Sequence, residues 1–112
     1  MTWNIYLIVD DMHVRHDMVK DKVEPKPKEF LDAYNYIDAI SLLQLRGDIT
    51  HVFLDYDLSL IGPTGLDVAR YMIENNVRIP VTVISQNPPG SDAILAELTR
   101  AGFEVQRQPL FI

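Results

Sequence analysis

With 112 residues, 47% of them hydrophobic, the chain has the material for one compact domain with one core, spanning residues 1–112. Sixteen acidic residues against ten basic ones give a net charge of −6, which disfavours bulk binding to nucleic acid or to anionic lipid. The absence of cysteine excludes disulfides, thiolate metal sites and cysteine nucleophiles. No apolar run reaches membrane length and no basic-then-apolar leader opens the chain, so the expectation is a soluble cytoplasmic protein with no membrane partner.

Trp3 to Val9 is apolar at successive positions, the mark of a central parallel strand covered on both faces, and it ends in Asp10-Asp11. Met12 to Glu29 is dense in charge and broken by Pro25 and Pro27, so it reads as a solvated, largely irregular segment with at most one turn of helix between Val14 and Val23. Phe30 to Tyr34 predicts a short strand. Asn35 then caps a helix with Asp38 in its first turn, Ile37, Ile40, Leu43 and Leu45 on its apolar face, and Gly47 as its stop.

Val52-Phe53-Leu54 predicts a buried strand that breaks abruptly into Asp55-Tyr56-Asp57, followed by a loop containing Gly62, Pro63 and Gly65. Thr64 and Asp67 have capping-box spacing, and a helix is expected from Gly65 to Asn76 with Leu66, Ala69 and Ile73 inward. Pro80 to Ile84 predicts a β-branched strand ending in Ser85-Gln86-Asn87. Pro88-Pro89-Gly90 reads as a turn, Ser91 as the cap of a last helix with Ile94, Leu95, Leu98 and Ala101 inward, and Phe103 to Arg107 as a final strand. Leu60-Ile61 and the tail Leu110-Phe111-Ile112 are expected to cover the sheet or, if exposed, to offer a partner surface.

Strands alternating with helices imply a doubly wound α/β fold, a five-stranded parallel sheet in the order 2-1-3-4-5 with a shortened or missing first helix. The switch point then lies between the first and third strands, beside Asp10, Asp11 and Asp55. Three carboxylates meeting there repel one another, and a divalent cation resolves the conflict. Oxygen-only ligands favour Mg²⁺, which commonly takes phosphate oxygens in its remaining positions. Asp55 is then a metal ligand, a nucleophile or both. Ser85 and Asn87 lie at the neighbouring strand end, where they can reach a phosphoryl oxygen. Thr64, Gly90 and Arg107 are the further positions expected to touch a ligand.

Val9-Asp10-Asp11, Phe53 to Leu58, Thr64-Gly65-Leu66-Asp67 and Val83-Ile84-Ser85, in this order, resemble the receiver domain of two-component response regulators over nearly the whole chain. The resemblance implies Mg²⁺ at Asp10, Asp11 and Asp55, with the Asp57 carbonyl as a further ligand, Asp55 as phosphoacceptor and Ser85 as the residue that senses it. A narrower resemblance, carried by Leu54-Asp55-Tyr56-Asp57-Leu58 and by Ile84-Ser85-Gln86-Asn87-Pro88-Pro89-Gly90, is to the cyclic-phosphate-processing receiver domains of bacteria and phages. It implies a phosphate-containing small molecule or an RNA end as ligand. Tyr56 and Ile84 stand where that group usually has histidine, and Gln108 precedes Pro109 where ordinary receivers have lysine. Three readings stay open: a Mg²⁺ site that binds or processes a phosphate-containing ligand, a stand-alone phosphoacceptor, and a non-catalytic module that binds a protein partner.

Overall fold

The computed structural model describes residues 3–108. Its centre is β1 (Ile5–Val9), buried at all five positions. Ile5, Leu7 and Val9 point into one core while Tyr6 and Ile8 point into a second on the opposite face. That division follows from the two-residue repeat of a strand buried on both sides. β1 pairs in parallel with β2 (Glu29–Ala33) on one side and with β3 (His51–Leu54) on the other. β4 (Val81–Val83) and β5 (Val105–Arg107) follow beyond β3, and the five-stranded sheet has the expected order β2-β1-β3-β4-β5.

Three helices cover one face: α2 (Tyr36–Leu45), α3 (Gly65–Glu74) and α4 (Pro88–Arg100). They contribute Ala39 and Leu43, Val68, Ala69 and Met72, and Ile94 and Leu98 to the larger core. On the other face lies α1 (His13–Lys22), whose Val19 meets Tyr6, Ile8, Phe53 and Ile84. No helix among the described residues is long and apolar enough to cross a membrane.

Several elements differ from the sequence expectation. The segment after Asp11 holds a ten-residue helix, α1, as long as α2 or α3, where at most one turn is expected, and is irregular only beyond it, over 23–28. The two prolines lie beyond its end at Lys22, so they limit the helix without breaking it. Pro88-Pro89-Gly90 is the first turn of α4 rather than a separate turn, with Asn87 in place of Ser91 as the cap. Proline suits that position, since the missing amide would have had no helical partner. On α2, Ile37 and Leu45 face outward at 69% and 79% exposure, leaving Ala39 and Leu43 to make the buried contact. Leu60 and Ile61 are fully exposed, and the tail Leu110-Phe111-Ile112 lies outside the described residues.

Gly65 fixes how α3 meets the sheet. A Cβ there would overlap the Asp55 carbonyl oxygen, and the Gly65 amide donates to the Tyr56 carbonyl at 2.7 Å. The helix start is thus held against the backbone of the strand end that carries Asp55. Gly65→Ala is expected to lower stability by about 2 kcal/mol or more, the usual scale of overpacking, read from the urea midpoint; an unchanged midpoint would mean that this close approach is dispensable.

Candidate metal and phosphate site

The carboxyl ends of β1 and β3 lie side by side, and the backbone fixes what they carry. The Asp55 amide donates to the Val9 carbonyl at 2.9 Å and the Asp10 amide to that of Ala33 at 3.1 Å, so both aspartates are continuations of the ladder rather than loop residues. Each is fully buried, whereas Asp11 is exposed, and carboxylate oxygens of all three lie within 4.8 Å of one another. Asp10 Oδ1 accepts a hydrogen bond from the Met12 amide at 2.9 Å. Asp10 Oδ2 and Asp55 Oδ1 accept none from the described residues.

Burial of like charges perturbs both groups strongly. Burial pushes the Asp55 carboxyl up to about 7; the Asp10 charge adds to this, while Arg15 and the nearby Ser85 hydroxyl pull it back. The Asp10 carboxyl is pushed up to about 6, again chiefly by burial, against the opposing pull of the Met12 amide and Arg15. Both carboxyls therefore titrate well above the ordinary carboxylate range.

Arg15 is the site residue that sequence reasoning missed. Its Nη1 lies 3.3 Å from Asp55 Oδ2 and 3.5 Å from Asp10 Oδ2, with a side chain only 18% exposed. Its direction is set by its neighbour. The ring of His16 is completely buried, with Nδ1 2.6 Å from Asp32 Oδ1 and Nε2 2.7 Å from the Asp10 carbonyl oxygen. Both ring nitrogens are thus engaged by oxygen atoms on the sheet side of the helix. Lys20 Nζ reaches the other oxygen of Asp32 at 3.0 Å, and the ring of Tyr34 stacks on His16 at 4.2 Å. Burial raises the Asp32 carboxyl, but the bonds from His16 and Lys20 outweigh it and hold the group below its ordinary value. His16 thus ties α1 to β1 and β2, and the preceding residue faces the aspartates. The sequence signal was His16 and Val19, three apart and both buried, in a segment whose charges read as solvated.

The opposite rim is built from the motif after β4. Ser85 is fully buried, and its Oγ accepts from the Asn87 amide at 3.0 Å. Asn87 caps α4, its Oδ1 accepting from the Gly90 amide at 3.2 Å, while its Nδ2 lies 3.4 Å from Asp57 Oδ2. Gly90 lies directly against the ring of Tyr56, which a Cβ at that position would overlap. The glycine of the motif and the tyrosine of the aspartate loop therefore form one packed unit.

The remaining sequence candidates take other places. Thr64 caps α3, accepting from the Leu66 amide at 3.2 Å, and Asp67 closes a capping box with it. Arg107 lies on the exposed edge strand β5 and approaches Asp92 on α4 at 3.9 Å. Among the other histidines, His13 is exposed, beside Asp17 and Tyr34. His51 bonds Thr82 Oγ1 at 2.7 Å, and burial lowers its pKa.

The residues present fit a divalent cation. Two buried carboxylate oxygens have no hydrogen-bond donor, the third carboxylate is at the surface where exchange with water is open, and every donor is an oxygen. Hard divalent ions such as Mg²⁺, Mn²⁺ and Ca²⁺ favour such a set.

No curated protein is similar enough to match the chain. Solved structures establish the fold. A signal receiver domain of a putative LuxO repressor protein from Vibrio parahaemolyticus superposes with a TM-score of 0.73 at 21% identity, covering 95% of this chain and 78% of that one. A response regulator from Burkholderia pseudomallei, solved with a phosphorylated aspartic acid, a calcium ion and citrate, gives 0.71 at 15% identity over 95% of this chain and 60% of that one. The Mn²⁺-bound form of the response regulator Rcp1 gives 0.70 at 19% identity over 94% and 80%. The family described as the cyclic-phosphate processing receiver domain matches residues 5–100, the stretch from β1 to the end of α4 that contains Asp10, Asp55, Ser85 and Gly90. The chain therefore belongs to the cyclic-phosphate processing receiver domain family.

Proposed function

We propose that the chain is a metal-dependent phosphate-handling domain in which Asp10, Asp11 and Asp55 hold Mg²⁺ and the crevice above them receives the phosphate of a cyclic-phosphate nucleotide or RNA end. The observation that carries this reading is the pair of buried oxygens without a hydrogen bond, Asp10 Oδ2 and Asp55 Oδ1. A buried carboxylate oxygen without a donor is costly in an apo domain and useful only where a cation completes it. When bound, the cation would neutralise the carboxylates and supply positive charge to a phosphate oxygen.

The chain's own residues divide the remaining work. Asp55, at the strand end, is the carboxylate placed to attack or to orient a phosphoryl group. Ser85, buried beside it, offers a hydroxyl to a phosphoryl oxygen. Asn87 caps α4 and spans the gap to Asp57, so it shapes the rim and keeps the α4 amides in place near an entering anion. Tyr56, packed on Gly90, forms part of the same wall. Thr64 acts by positioning, through the α3 cap.

Calorimetric titration with Mg²⁺ is expected to give saturable binding for the native chain and none for Asp10→Asn, with Asp55→Asn equally impaired. Equal affinity in all three would contradict the assignment.

The carboxylate pair also sets a pH dependence in metal-free buffer. The folded pKa values of about 6 and about 7 lie above those of the unfolded chain. Folding therefore favours the protonated forms, and the stability they contribute is complete below the unfolded value and is lost as pH rises through 6 and 7. Asp55→Asn, neutral at every pH, is expected to melt higher than the native chain, by a margin that grows with pH and levels off above about 7. A margin independent of pH, measured by thermal melts between pH 4 and 9, would contradict the account.

A further inference from the structure

The proposed cation site already holds a positive charge that belongs to the chain. Arg15 Nη1 lies between the two buried aspartates, 3.3 Å from one and 3.5 Å from the other. The fit is poor for a guanidinium, which favours short, parallel, two-pronged pairing with one carboxylate. Here a single nitrogen touches two different carboxylates, and an oxygen of each remains without a hydrogen bond. Arg15 therefore balances charge and donates to Asp55 Oδ2, but leaves Asp10 Oδ2 and Asp55 Oδ1 without a hydrogen bond. Other cations of the neighbourhood are engaged elsewhere: Lys20 with Asp32 and Arg107 with Asp92.

We propose that Arg15 is the site's resident counter-ion and its phosphate-gripping residue: its guanidinium leaves Asp10 and Asp55 when the divalent cation enters and pairs with the phosphate of the incoming ligand. The proposal rests on the metal-dependent reading above. The two halves follow from the same chemistry. Two carboxylates prefer a divalent ion to a shared nitrogen, and a guanidinium prefers a phosphate that offers two oxygens in its own plane to one that offers single oxygens from two groups. The anchoring of α1 makes the exchange local. His16 fixes the helix to the Asp10 carbonyl and to Asp32, so the Arg15 backbone stays in place while its flexible side chain moves. Metal and phosphate are then coupled, since each takes from Arg15 what the other leaves it.

The test titrates Mg²⁺ into native protein, Arg15→Ala and Arg15→Lys, and then records the melting temperature of each in saturating Mg²⁺ with and without inorganic phosphate. Removing a cation that competes for the site is expected to tighten Mg²⁺ binding about tenfold or more in Arg15→Ala, the scale on which an adjacent charge shifts a carboxylate equilibrium. Arg15→Lys is expected to keep affinity close to native, because the charge remains. Phosphate is expected to raise the melting temperature of the native chain and not that of Arg15→Ala, with a partial rise for Arg15→Lys. Binding of Mg²⁺ by the native chain with no gain in Arg15→Ala would overturn the proposal while leaving the metal site intact. Tighter Mg²⁺ binding with an undiminished phosphate effect would overturn the phosphate grip. No Mg²⁺ binding by native, alanine or lysine forms would overturn the proposal and the metal-dependent reading together.

Discussion

Repulsion between two buried carboxylates, Asp10 and Asp55, is the constraint on which the rest of the structure depends. The ladder of parallel strands places them: β1 and β3 end in register, and each aspartate is still bonded to its neighbour strand through its backbone amide. Nothing in the packing of the sheet requires charge there, and burial drives both carboxyls toward their neutral forms. A domain that keeps such a pair sacrifices stability for a cluster of carboxylate oxygens that could hold a cation.

The surrounding elements are arranged to hold that pair in position. Gly65 lets α3 begin against the Asp55 carbonyl, and Gly90 lets α4 begin against the Tyr56 ring, so two helix starts converge on the strand end carrying the central aspartate. On the far side, His16 clasps the Asp10 carbonyl and Asp32, which binds α1 to the sheet with polar contacts where its apolar contribution is small, Val19 with Met18 beside it. The domain's two faces are therefore held differently: α2, α3 and α4 by a broad apolar core, and α1 by a smaller cluster together with a buried hydrogen-bond network.

That difference explains what was legible in the sequence. Five successive apolar residues in β1 and the abrupt change from Leu54 to Asp55 identify the buried strands, their order and the acidic crevice without further information. The caps Asn35 and Thr64 were equally readable, because each is a local hydrogen bond between residues two or three apart. The first helix was not, since it has no continuous apolar stripe and its buried histidine is satisfied by Asp32, sixteen residues away, and by a main-chain oxygen. Arg15 was hidden for the same reason: its value comes from a partner forty residues distant on another strand. Pro88-Pro89 misled in the opposite direction, because the residues that break a helix interior also begin one well.

The central claim is that Asp10 and Asp55 form a cation site. The most direct measurement is a crystal grown with Mn²⁺, whose anomalous scattering locates the ion independently of the refined protein. The account predicts a single strong peak bound by carboxylate oxygens of Asp10 and Asp55, with the Arg15 guanidinium moved away from both. A crystal with Mn²⁺ at millimolar concentration, no peak between these carboxylates and Arg15 still between them would contradict it.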